Sequence, residues 1–140
     1  EYHDPAFMKL VEDCCCDLVG KDRVKFDYES WSTGSSDFGD VTCVMPGVQF
    51  FAAGAIGTGH GIDYYVKDPN RMCVNAVKAQ LFVADALLRD DAAAARKIIA
   101  DYKPQYPSIK AYLDAINELF LDKDAVQYDE HGNATVDFQN

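Results

Sequence analysis

The sequence predicts an α/β fold in which helices pack on a small sheet, and three observations carry that prediction. Apolar residues recur at steps of three and four through four separate stretches, the mark of amphipathic helices. Residues 24–28 and 47–53 instead carry the alternation and the short apolar run of strands. Polar, glycine-rich loops separate the two kinds of pattern. The 140 residues, 49% of them hydrophobic, are enough for a single domain over 1–140 with a continuous core.

The first helix is bounded by its own ends. Asp4 suits the N-cap, Pro5 the first helical position, and Gly20 the C-terminal stop. Between them Phe7, Leu10, Val11, Cys14, Cys15 and Leu18 make one apolar stripe, with Cys16 nearer the polar side. Residues 24–28 read Val, Lys, Phe, Asp, Tyr, the period of a half-buried strand. Residues 30–40 are dense in Ser, Gly and Asp and form a turn-rich loop. After Pro46, the run GVQFFAA is expected to be an interior strand. It leads into a loop, 54–61, with glycine at 54, 57, 59 and 61 around His60.

From Asn70, behind Asp68-Pro69, the pattern turns helical. Cys73, Val77, Leu81, Ala84 and Leu88 mark a face to about Arg89, and Ala76, Ala79 and Ala86 extend burial over much of the girth. Asp91 is expected to cap a second helix carrying Ala95, Ile98, Ile99 and Tyr102, closed by Pro104 and Pro107. A third starts near Ser108 with Ile109, Tyr112, Leu113, Ile116 and Phe120 on one side. The C-terminus predicts a β-hairpin, 126–128 and 135–138 about a polar turn at 129–133.

Thirteen Lys and Arg against 23 Asp and Glu leave a net charge of -10. A field of that sign repels phosphate backbones and anionic lipid, so neither nucleic acid nor a membrane surface is an expected partner. No apolar run approaches the length of a spanning helix, and charges through the first twenty residues leave no secretory signal. Cys14, Cys15 and Cys16 are consecutive, unlike a disulfide framework. Neighbours on a helix point about 100° apart, so the three do not converge on one metal. A reducing compartment, the cytoplasm, is therefore expected. His3 and His131 are expected to face solvent.

Core packing leaves two loops unexplained. Residues 34–40 (GSSDFGD) set Asp37 and Asp40 beside hydroxyls on a tight turn, where they could serve a site or simply cap a helix and close the turn. Residues 57–61 (GTGHG) set one imidazole among glycines that permit positive φ. His60 could ligate metal, act as acid or base near neutral pH, or be a hydrogen-bonded surface residue. The loop lacks the Lys-Ser/Thr ending of a phosphate-binding loop. A catalytic zinc takes about three protein ligands and an open position. His60 is the single histidine of these loops, and Asp63 adds at most one oxygen. These residues alone do not complete a metal site, and none is assigned as catalytic.

The two loops together are recognisable. Residues 34–41 (GSSDFGDV), 45–51 (MPGVQFF) and 57–61 (GTGHG), followed by a long helix, resemble the C-terminal end of the zinc-dependent amidohydrolase and exopeptidase family, which includes aminoacylases, carboxypeptidase G and aminobenzoyl-glutamate hydrolases. The last branch is the most similar: its usual Ser-Thr-Asp-x-Gly-Asp-Val differs from residues 35–41 mainly at Ser36. The resemblance covers residues 34–88 and does not extend to the C-terminal hairpin. It implies the C-terminal portion of a mixed-sheet metallohydrolase catalytic domain, and a two-metal site that cleaves an amide bond next to an amino-acid carboxylate. By position His60 is similar to the family's last metal ligand. Asp37, Asp40, Ser36 and Gly59 shape the same cleft, orienting ligands or substrate.

The family's other ligands, its general-base Glu and its lid domain lie upstream of the matched region. The expectation is therefore a fragment of a zinc-dependent or other divalent-metal enzyme, inactive alone, whose small-molecule amide or peptide substrate is shared with absent parts. Uncovered apolar surface would favour a homo-oligomer. The alternative is a non-catalytic α/β ligand-binding or assembly module, and a third reading is a single-metal domain using His60 and Asp63, completed by a second chain.

Overall fold

Asp4 starts the fold by doing two jobs at once. Its carboxylate accepts a hydrogen bond from the Phe7 N–H at 2.8 Å and so caps helix α1 (Pro5–Val19), with proline at the first helical position. Its own N–H donates to the Gly47 carbonyl at 3.3 Å, and the residue is buried, which ties the helix start to the segment leading into residues 48–53. Gly20, at φ +90°, ends the helix with its N–H on the Cys16 carbonyl at 2.9 Å. A single 3-10 turn, Lys21–Arg23, follows. Both ends of α1 lie where the sequence places them.

In this computed structural model the described residues are 2–28, 34, 36–120, 122 and 124–136. They divide into two compact units, Glu1–Gln105 and Tyr106–Asn140. The first is organised by α1 packed on helix α3 (Asn75–Asp101). Val11, only 1% exposed, meets Cys14 and Val83, and Phe7, Leu10, Cys15, Phe26, Val48, Phe50, Ala86 and Leu87 pack around them. Burying one such aliphatic side chain is worth about 1.5–3 kcal/mol. Burial also pushes the Cys14 and Cys15 thiols above their ordinary pKa, so they serve as protonated, small hydrophobes.

The buried face of α3 is one part of the expected one. Over residues 75–88 its buried positions are Ala79 and Val83, with Ala76, Ala86 and Leu87 half-buried beside them. Val77, Leu81 and Leu88, expected inside, are exposed, Leu88 at 69%. Two stripes of the helix have the same period, and the one that carries Val83, Ala86 and Leu87 packs in the core with α1.

A π-helical turn, Asn70–Val74, leads into α3, and the Asp68 carboxylate accepts from the Arg71 N–H at 3.1 Å at the expected helix start. The long helix is broken where the sequence separates two helices. Arg89 is extended (ψ 163°), and Asp90, Asp91 and Ala92 are left-handed, at φ 53°, 58° and 56°. Asp91 is therefore part of the break and not an extended N-cap; its carboxylate pairs with Arg96 at 2.8 Å.

Residues 24–28 and 47–53, expected as strands, form no β-ladder among the described residues. Phe26, Val48 and Phe50 still reach the core, but Phe51, expected inside an interior strand, is exposed at 85%. The Tyr28 hydroxyl donates to Glu12 at 2.7 Å and holds the first segment against α1. A hydrophobic period specifies a face, but a ladder also needs a neighbouring strand at about 4.8 Å. The first unit's sheet is instead β1 (Ala55–Ile56) antiparallel to β2 (Tyr65–Val66), in the register Ala55 with Val66 and Ile56 with Tyr65.

In the second unit, Ser108 caps helix α4 (Ile109–Leu119), accepting from the Ala111 N–H at 3.1 Å. The predicted hairpin pairs β3 (Val126–Tyr128) with β4 (Ala134–Val136). Asp129 closes its turn by accepting from the N–H groups of His131 (2.9 Å) and Asn133 (2.8 Å), and these bonds with the Asn133 amide hold its carboxyl below the usual range. Residues 137 and 138 of the expected second strand lie outside the described residues. The apolar side of α4 (Ile109, Leu113, Ile116, Phe120) is exposed. The architecture is thus helices with two small antiparallel sheets, and the expected mixed sheet with helices packed on it does not form among the described residues. None of the described helices is long and apolar enough to cross a membrane.

Two predictions follow from these contacts. A non-glycine residue in the left-handed region costs roughly 1–2 kcal/mol. Ala92→Gly should therefore raise Tm by about 2–4 °C in a thermal melt, whereas Ala93→Gly, one residue into regular helix, should lower it. The Tyr28 pKa is pushed up to about 12 by its hydrogen bond to Glu12. Because the folded value is raised, this contact stabilises fully below the ordinary tyrosine value near 10 and is lost as pH climbs through about 12. NMR titration of the tyrosine rings should show one late-ionising residue that Glu12→Gln brings back toward 10.

Candidate functional site

The GTGHG loop is the tip of the β1–β2 hairpin. Gly57 sits at φ +99°, and a Cβ there would lie 2.2 Å from the Asp63 carbonyl oxygen, so only glycine lets the two arms close. The turn is held by Gly61 N–H on the Thr58 carbonyl at 2.7 Å and Tyr64 N–H on the Gly61 carbonyl at 3.2 Å. The Asp63 carboxylate accepts from the Thr58 N–H at 3.1 Å and lies 3.4 Å from its hydroxyl. Asp63 thus has a structural task in this loop. Gly59 differs, since a Cβ there would meet nothing within 4 Å.

His60 is exposed at the tip and takes φ 63°, a left-handed backbone that bulky residues seldom adopt. Ile62 beside it is fully exposed. The hairpin therefore holds an imidazole and an apolar side chain out from the body of the unit on a loop closed by its own hydrogen bonds. Strained backbone of this kind is concentrated at functional positions.

The other loop becomes helix α2 (Phe38–Thr42). Ser36 Oγ accepts from the Phe38 N–H at 3.1 Å, while Asp37 occupies the N-cap position without a capping bond from its side chain. Asp40 lies in the first turn, and Asp37 and Asp40 are both exposed. Ser35 lies outside the described residues.

The tightest point in this loop is Thr42, 1% exposed, which the sequence reading passed over. Its hydroxyl donates to the Gly39 carbonyl at 3.0 Å and accepts from the Tyr2 N–H at 3.3 Å, and its carbonyl accepts from the Tyr102 hydroxyl. Beside it, the Gln105 N–H donates to the Cys43 carbonyl at 3.0 Å. One threonine thus locks α2 to the N-terminal segment and to the end of α3. No period marks such a residue, because its partners come from 40 and 60 positions away. His3, expected in solvent, is half-buried and packs edge-on to Phe38 at 6.2 Å.

As donors for a metal, these residues are insufficient alone. Among the described residues no three His, Cys, Asp or Glu side chains come together. His60 offers one nitrogen, and the Asp63 carboxylate is engaged with Thr58. A zinc centre takes about four ligands.

A separate concavity lies elsewhere in the first unit. A groove of about 520 Å³ runs between α1 and residues 24–27 and 48–53, with the start of α3 at its end. Leu18, Val24, Phe26 and Phe50 line it, and so do Arg23, Lys25 and Arg71. Neither His60 nor Asp37 nor Asp40 reaches it. The alternation of 24–28 sets Lys25 opposite Phe26 and so does not signal that both line one groove; nothing local signals Arg71 either. Compared with known proteins, the chain matches no family model, no curated protein and no solved structure.

The two glycines flanking Thr58 give a direct check of the hairpin. Gly57→Ala should destabilise by more than about 2 kcal/mol in denaturant unfolding, since both φ and the Asp63 backbone oppose it. Gly59→Ala should stay within about 0.5 kcal/mol of the parent.

Proposed function

We propose that these residues are part of a metal-dependent amidohydrolase of the exopeptidase type and are inactive alone. The substrate class is an N-acyl amino acid, a dipeptide or an aminobenzoyl-glutamate-like amide. The observation that carries this reading is the order of parts over residues 34–88: an Asp-bearing turn, a Pro-Gly start, an apolar run, a glycine loop with one histidine, and a long helix. Support comes from the hairpin, whose glycines and Asp63 hold His60 outward at a left-handed φ. In this reading His60 is one ligand of a zinc or other divalent-metal pair. Asp37, Asp40, Ser36 and Gly59 shape the surrounding cleft, and the remaining ligands and the general base come from outside these residues.

A second reading, a non-catalytic binding or assembly module, draws on one observation: the 520 Å³ groove is lined without any of those residues. The test separates the two. The chain alone should hold well under one zinc per molecule by mass spectrometry of metals and should not hydrolyse N-acyl amino acids. Joined to the polypeptide encoded immediately upstream, it should hydrolyse them, and His60→Ala should cost at least about 100-fold in kcat/KM, the upper end of what loss of a group behind a metal ligand costs. Stoichiometric zinc held by the chain alone, or activity indifferent to His60→Ala, would overturn the first reading.

A further inference from the structure

The groove between α1 and residues 24–27 and 48–53 combines three properties that are independent of His60. Its floor is apolar, built from Leu18, Val24, Phe26 and Phe50. Three of the chain's 13 cations, Arg23, Lys25 and Arg71, line it against a single carboxylate, Asp27. In a protein of net charge -10 this is a local reversal of sign. Among the described residues, no carboxylate forms an ion pair with Arg23, Lys25 or Arg71, although five other Lys and Arg residues have such partners. The third property is the backbone. Residues 24–26 and 50–53 carry strand patterns, line the groove and, among the described residues, take part in no β-ladder.

A volume of about 520 Å³ suits many ligands. The three properties together select among them. Cations surrounding an apolar floor complement acidic side chains that alternate with apolar ones. Strand-patterned backbone outside any ladder complements another backbone, the mode in which an extended peptide adds to a sheet edge. We infer that the groove binds an extended acidic segment of another polypeptide, adding it as a strand alongside residues 50–53. Its apolar side chains lie on Phe26 and Phe50, and its carboxylates meet Arg23, Lys25 and Arg71.

The probe is a synthetic peptide of alternating Val and Glu, titrated into the full chain by fluorescence anisotropy at low and high salt. Binding should weaken with salt and fall at least tenfold in Arg23→Glu/Lys25→Glu/Arg71→Glu. These are exposed side chains, and circular dichroism checks that the variant folds. A Val–Lys peptide should not bind, and N-methylation of alternate amides should abolish binding by the Val–Glu peptide. Equal binding of the N-methylated peptide, or of octanoate, would overturn strand addition in favour of a simple anion pocket. Loss of peptide binding only because the groove is filled by a second copy, seen as a dimer in sedimentation, would equally overturn it.

Discussion

The packing of α1 on α3 is the contact on which the rest of the first unit depends. Val11, Cys14 and Val83 make its centre, and Ala86 and Leu87 of α3 pack against it. Every other segment is attached to that pair by a few specific contacts. Residues 24–28 are attached through Phe26 and the Tyr28–Glu12 hydrogen bond, 48–50 through Val48 and Phe50, and α2 through Thr42. With so few fully buried side chains, the capping and hinge residues matter more than they would in a larger core. Asp4 shows this well, because it caps the helix and fastens Gly47 with the same residue.

The chemistry-bearing loops sit at the margin of this frame. The hairpin that carries His60 is closed internally, by Gly57 against Asp63 and by Asp63 on Thr58, so its shape needs little from the core. The groove is the opposite case, since it exists only because α1, α3 and two strand-patterned segments come together. The two features draw on different residues, and so they can be tested separately.

How far the residues could be read in advance followed from whether a feature was local. The ends of α1, the cap at Ser108, the break between the two helices near residue 90 and the hairpin at 126–136 were all legible. Each depends on neighbours a few positions apart. The alternation at 24–28 put Phe26 inward, as found, whereas the run 47–53 was read as wholly interior and leaves Phe51 exposed. Neither makes a strand among the described residues, because pairing needs a partner that period alone does not supply. On α3 the sequence placed two stripes inside; Ala76, Ala79 and Ala86 are buried or half-buried, whereas Val77, Leu81 and Leu88 are exposed. Two stripes of one period look alike until the packing partner is known.

By itself the sequence determined both ends of α1, the cap of α4, the turn glycines and the acidic balance. Each of these is a property of single residues or of close neighbours along the chain. Only the tertiary structure decided that Thr42 would be a buried junction, that Asp63 would be engaged with Thr58, and that Arg23, Lys25 and Arg71 would share one groove. The reason is physical: burial and charge clustering arise from residues far apart in the chain, and no local period encodes which of them will meet.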